Sequence, residues 1–268
     1  MKSLTLHVGH DDGFDSRLQV ALDLARRFDA HLTLVQPCLA QDFVAFDMAG
    51  GAHFVAQAYA AAEQARTEMR KRVEADLDNE SVNWDWQMID GASRIDILAE
   101  AARLSDLVIL SLDDDRRGAA QPGRSLVGDL ATSSRTPILA VPPGCQCLRF
   151  GTAMIAYDGS PEASFAIRSA AHLLSAFSDV KIAEVEPGEY PLTDAADYLA
   201  RHGITSTIEP VPGGGKSVEE HLVIAATGFG ADLLIMGAYG HSRWREALFG
   251  GVTHYVLAET HVPVLLAH

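Results

Sequence analysis

The sequence predicts an α/β fold, two tandem doubly wound parallel sheets, and three observations carry that prediction. Short apolar runs of strand length alternate with segments whose apolar residues recur every three or four positions. The same order of segments occurs twice along the 268 residues. Finally, Asp106-Leu107-Val108-Ile109-Leu110 matches Asp232-Leu233-Leu234-Ile235-Met236, and Pro137-Ile138-Leu139 matches Pro263-Val264-Leu265, both pairs 126 positions apart (232 − 106 and 263 − 137). One offset at two anchors means no gap between them, which is the mark of an internal repeat.

In the first half, Leu4–Val8 alternates like a strand and enters a turn at Gly9–Gly13. Asp15 or Ser16 is placed to cap a helix carrying Leu18, Ala21, Leu22 and Ala25. His31–Val35 is a second strand, 38–56 has no clear pattern, and Gln57–Leu77 is a strong helix, with Glu63, Arg66, Arg70 and Glu74 read as its solvated face. Val82–Ile89 is a third strand, followed by a helix over Ile95–Leu104 begun by Ser93. Asp106–Leu110 suits a strand buried on both faces, and Pro137–Val141 closes the half before Pro142-Pro143-Gly144.

The second half repeats this order. Strands are expected at Thr152–Tyr157, Val180–Val185, Ile204–Pro210, Asp232–Met236 and Pro263–Ala267. Helices are expected at about 162–177, 191–201, Ser217–Thr227 and about 251–260. Asp12-Gly13 pairs with Asp158-Gly159, so the second copy is shorter in the region that follows. The expected domains are 1–143 and 150–268.

Composition narrows the function. Net charge is −15, and both halves are acidic, which disfavours nucleic acid or an anionic membrane as a partner. No apolar run reaches the roughly 18 residues that span a bilayer, and Met1–His7 lacks the pattern of a signal peptide. Cys38, Cys145 and Cys147 form no disulfide framework. A cytoplasmic location is expected.

In open parallel sheets ligands bind beyond the carboxyl ends of the strands, where the strand order reverses. Both the Asp158-Gly159 turn and the loop from Gly237 to Gly251 follow strands, so both belong to that edge. A strand running through a Gly-rich loop into a helix N-terminus can hold phosphate on backbone amides.

These residues resemble the universal stress protein family: Tyr157-Asp158-Gly159-Ser160 after a first strand, Gly237-x2-Gly240-x9-Gly250 near the end, and Val262-Pro263-Val264-Leu265 as a last strand. The resemblance covers the whole chain as a tandem pair. It implies a five-stranded parallel sheet per half (Rossmann-like, of the adenine nucleotide alpha hydrolase type), dimerisation through the last strand, a role in the stress response, and in many members an ATP site. Carried across, Tyr157, Asp158 and the main chain near Val185 would hold adenine and ribose. Met236, Gly237, Gly240, Gly250, Gly251, Val252 and Thr253 would line ribose and phosphates, with Mg2+ accompanying ATP. Lys216, His241 and Arg243 would add charge. Where the family has Ser or Thr after its third glycine, this chain has Gly251.

The first half departs further. Its counterparts of the glycines are Ser111, Asp114, Arg124 and Ser125, and Asp113-Asp114-Asp115 would repel phosphate. This half is expected to be a non-binding partner in an internal pseudo-dimer, with a homodimer of whole chains as a further option. Two other function classes fit the same fold: an interaction module with another small ligand, and a weak ATPase or nucleotidyl-transfer enzyme.

Other motifs carry less. Gly240-His241-Ser242-Arg243-Trp244 lacks the closing glycine of a nucleophile elbow. Gly213-Gly214-Gly215-Lys216-Ser217 lacks phosphate-loop spacing and reads as a loop capping the next helix through Ser217. His241, His254 and His261 could form a zinc site only if folding gathers them, and Trp84, Trp86 and Trp244 read as packing residues.

Overall fold

A computed structural model describes residues 1–39, 52–112, 125–184, 190–211, 215–238 and 251–268. In the first half the elements are β1 (Ser3–His7), α1 (Phe14–Phe28), β2 (His31–Leu39), α2 (Ala52–Leu77), β3 (Asn83–Gly91), α3 (Arg94–Ala101, tightening into a 3-10 turn at Ala102–Leu104), β4 (Leu107–Ser111), α4 (Leu126–Ser133) and β5 (Ile138–Val141). In the second they are β6 (Thr152–Ala156), α5 (Pro161–Leu174), β7 (Asp179–Glu184), α6 (Leu192–Arg201), β8 (Thr207–Pro210), α7 (Val218–Gly228), β9 (Leu233–Gly237), α8 (Gly251–Glu259) and β10 (Val264–Ala267).

Among the described residues the ten strands join in one sheet, ordered β3-β2-β1-β4-β5-β10-β9-β6-β7-β8. Each half has its five strands in parallel, and the order reverses between β1 and β4 and between β6 and β9. The two five-stranded parallel sheets meet through their last strands: β5 and β10 pair antiparallel, Leu139 opposite Leu265, and fuse the halves edge to edge. Both strands are wholly buried and apolar, so pairing hides two edges that would otherwise expose unpaired backbone groups.

The sheet is covered on both faces. One core combines alternate strand residues such as Leu32, Leu34, Leu139 and Leu265 with α1, α2, α5 and α6. The other combines Val35, Ile138, Val264 and Leu266 with α3, α4, α7 and α8. Both cores run across the β5–β10 junction. Side chains alternate across a strand with a period of two, so each central strand must be apolar on both sides.

Serine begins four of the helices: Ser93, Ser125, Ser160 and Ser217 accept from the amides of Asp96, Gly128, Ala163 and Glu220. The Gly213–Ser217 stretch thus ends as expected, with Glu220 reaching back to the Ser217 amide in a capping box. The α1 helix departs from expectation. It begins at Phe14, with Gly13 at the N-cap and no side-chain cap. Asp15 instead pairs with Arg72, and the Ser16 hydroxyl accepts from the Gly144 amide, 3.0 Å away, pinning the linker. On α2, Arg66 is also not part of a solvated face: it is buried, bonded to Glu63 at 2.5 Å. Trp84 and Trp86 pack on the core, as their reading predicts.

Candidate functional site

The register between β6 and β9 builds the site. Ala156 lies opposite Met236, so Tyr157-Asp158-Gly159 leaves the sheet beside Gly237, the last residue of β9, at the carboxyl edge. Two stretches about 80 residues apart in sequence are thereby joined, at the reversal in strand order. Parallel strands require their connecting helices to run back, so α5 and α8 both begin at this same edge.

The turn after β6 is tightly made. Asp158 Oδ1 accepts from the Ser160 amide at 2.9 Å, and the Ser160 hydroxyl accepts from Ala163 N at 3.1 Å. Gly159 has φ +78°, a left-handed backbone that suits glycine. Tyr157 lies with its hydroxyl 3.5 Å from Ser164 Oγ. Gly237 closes against the first turn of α5: a Cβ there would stand 2.5 Å from Ala163 N and 2.7 Å from Glu162 C. Its bareness therefore serves close helix–strand packing, which sequence spacing alone does not reveal.

The remaining predicted residues divide. Gly251 and Val252 open α8, and Thr253 is buried on it, 4% exposed. The α8 first turn holds no acidic residue, whereas Glu162 occupies the first turn of α5. Lys216 lies beside Glu220, whose carboxyl is held below its usual range chiefly by the Ser217 amide. Val185, Gly240, His241, Arg243 and Gly250 lie outside the described residues, as do Asp113–Asp115, Arg124 and Trp244. Among the described residues no group of three His, Cys, Asp or Glu side chains is placed to hold a metal ion.

Among the described residues, the equivalent edge of the first half is filled by a side chain. Arg17 is fully buried, and its guanidinium meets Asp11 at 2.5 and 2.7 Å, His7 O at 2.8 Å and Ser111 Oγ at 2.6 Å. Asp11, not Asp12, is the counterpart of Asp158, because its Oδ1 accepts from the amide two residues on, Gly13 N, at 3.1 Å. Counted from the helix starts, Arg17 stands where the second half has Ser164. Sequence reading passed over Arg17, although its place on the apolar stripe of α1, beside Phe14, Leu18 and Ala21, was a signal. Tyr190 was also missed: its ring lies against Gly159, and nothing in the local pattern marks it.

Residues 193–268 match the model of the universal stress protein family. A universal stress protein of Synechocystis sp. is 28% identical over 184 residues, covering 64% of this chain and 61% of its own length. In its second half the chain is similar to the universal stress protein family. Whole-chain likeness comes from solved structures: a universal stress protein of Archaeoglobus fulgidus, 14% identical with a TM-score of 0.72, covers 99% of this chain and 96% of its own. Another, from Pseudomonas aeruginosa, is 17% identical with a TM-score of 0.56, covering 99% and 93%. At such identities the likeness is one of fold, and it spans both halves of the chain. The match to the Synechocystis protein spans about three fifths of that relative's length.

Proposed function

We propose that the chain is a tandem universal stress protein that binds one adenine nucleotide per chain, ATP or a relative, in its second half, and acts as a stress-response sensor rather than a rapid enzyme. The observation that carries the reading is the Ala156–Met236 register, which sets the Asp158 turn beside Gly237 at the reversal in strand order. Asp158 and the main chain near Val185 take base and ribose. The phosphates lie at the start of α8, at Gly251 and Val252, with the motif glycines Gly240 and Gly250 as further ligands, where a helix N-terminus favours an anion. The α5 start is less suited, because Glu162 already places a carboxylate there. Mg2+, where present, is held mainly by the phosphates and water.

The residues 1–143 and 150–268 are proposed as homologous domains in an internal pseudo-dimer. Since β10 pairs with both β5 and β9, a homodimer of whole chains would use another surface. The three cysteines are not joined in disulfides, which agrees with a reducing compartment, and we place the protein in the cytoplasm.

The test is direct. Purified protein is denatured, released small molecules are identified by mass spectrometry, and stripped protein is titrated with ATP, ADP, AMP and GTP by calorimetry. The expected result is adenine-selective binding at one site per chain, weakened about tenfold or more by Asp158→Ala, with hydrolysis assayed in parallel. Absence of any adenine-nucleotide binding overturns the reading, and rapid ATP turnover replaces sensing with catalysis.

A further inference from the structure

We infer that Tyr190 is the aromatic wall of this site and the residue that selects a flat, π-rich ring as its ligand. The inference rests on the nucleotide reading and names the residue that would recognise the base. It begins with two backbone facts at Gly159: a φ of +78°, and a would-be Cβ only 2.7 Å from Tyr190 Cδ2 and 2.8 Å from Tyr190 Cβ. Gly159 thus lets the tyrosine lie directly on the main chain. Any side chain at position 159 would push it away.

The second fact is exposure. Tyr190 leaves 55% of its surface in water although it is anchored by this contact. It stands just before α6, on the connection from β7, while Gly159 stands on the connection from β6. These strands are neighbours, Ala156 opposite Ala183, so ring and turn share the carboxyl edge. An aromatic side chain held at one side and bare at the other presents a ready surface for offset stacking. Asp158, next to Gly159, adds an acceptor for a ring amine or a ribose hydroxyl. A wall and an edge acceptor together suit a purine. Neither favours a phosphate, so Tyr190 contributes to the base end only.

The experiment uses the full chain, with Tyr190→Ala and Tyr190→Phe titrated with adenosine, ATP and ribose 5-phosphate, after thermal melts show that all three proteins are folded. Aromatic stacking on a base is commonly worth about tenfold in affinity, within a broad range. Tyr190→Ala is expected to weaken adenosine and ATP alike by about tenfold and leave ribose 5-phosphate unchanged, while Tyr190→Phe binds as wild type. Base protons of bound adenosine should shift upfield in wild type and Tyr190→Phe, and lose that shift in Tyr190→Ala. If wild type binds nucleotide but Tyr190→Ala binds equally well or better, the wall is refuted and the site stands. If wild type binds none of the three probes, both readings fall.

Discussion

The two sheet edges of this protein share a scaffold and differ in what fills it. In the first half, a buried guanidinium from Arg17 ties Asp11, Ser111 and the β1 carbonyl of His7 together. In the second, the corresponding positions hold Ser164, Asp158 and Gly237, none of which supplies a cation. A glycine has also changed places. Gly13 makes room for Ser111 in one copy, whereas Gly237 makes room for the start of α5 in the other, where Ser160 caps the helix. The lesson is that one sheet edge can be filled from within, by a charge pair that completes itself.

The largest way to break this comparison is to remove the internal plug. Arg17→Met strands the Asp11 carboxylate, only 15% exposed, together with a carbonyl and a hydroxyl. Removing one partner of a buried pair costs about 3–5 kcal/mol. Urea denaturation should show a loss of that size, against less than about 1 kcal/mol for Ser164→Ala, an ordinary loss of one weak contact. Equal effects would show that Arg17 is not what distinguishes the halves.

The glycine exchange offers a finer test. Gly13→Ser alone would drive a Cβ to 2.5 Å from Ser111 Oγ, and Gly237→Ala would drive one to 2.5 Å from a backbone nitrogen. Each should cost about 1–3 kcal/mol through overpacking. Only the first has a side-chain remedy: Gly13→Ser with Ser111→Gly should recover about 1 kcal/mol relative to additivity. Additive losses in a double-mutant cycle would mean that the two residues do not compete for space.

The smallest effect concerns acid. Burial raises the Asp106 carboxyl, but the amides of Lys2 and Ser3, with the Met1 amine and His172 nearby, hold it below its usual range overall. A depressed carboxyl gives stability that is fully present above the unfolded value, about 4, and is lost as pH falls through the folded one. Asp106→Asn should therefore narrow its gap to wild type between pH 5 and pH 2 in denaturant titrations. A constant gap would remove Asp106 from the acid response. Asp232 makes the same two amide contacts, to Gly151 and Thr152 at 3.1 Å, and the paired variant compares the halves once more.

The sequence by itself determined the order of strands and helices, the repeated layout and the sheet edge shared by the Asp158 turn and Gly237. These are readable because periodicity, serine caps and a 126-residue offset are local or repeated signals, as at Ser217 and at Leu107 against Leu233. Boundaries moved by a few residues, and α1 lost its expected caps because Asp15 and Ser16 found distant partners in Arg72 and Gly144. Only the tertiary structure decided that the two sheets are one, that Asp11 rather than Asp12 matches Asp158, that Arg17 fills the first edge, and that Tyr190 lies on Gly159. Each of these depends on which residues far apart in the chain come within a few ångströms, and no local pattern encodes such a distance.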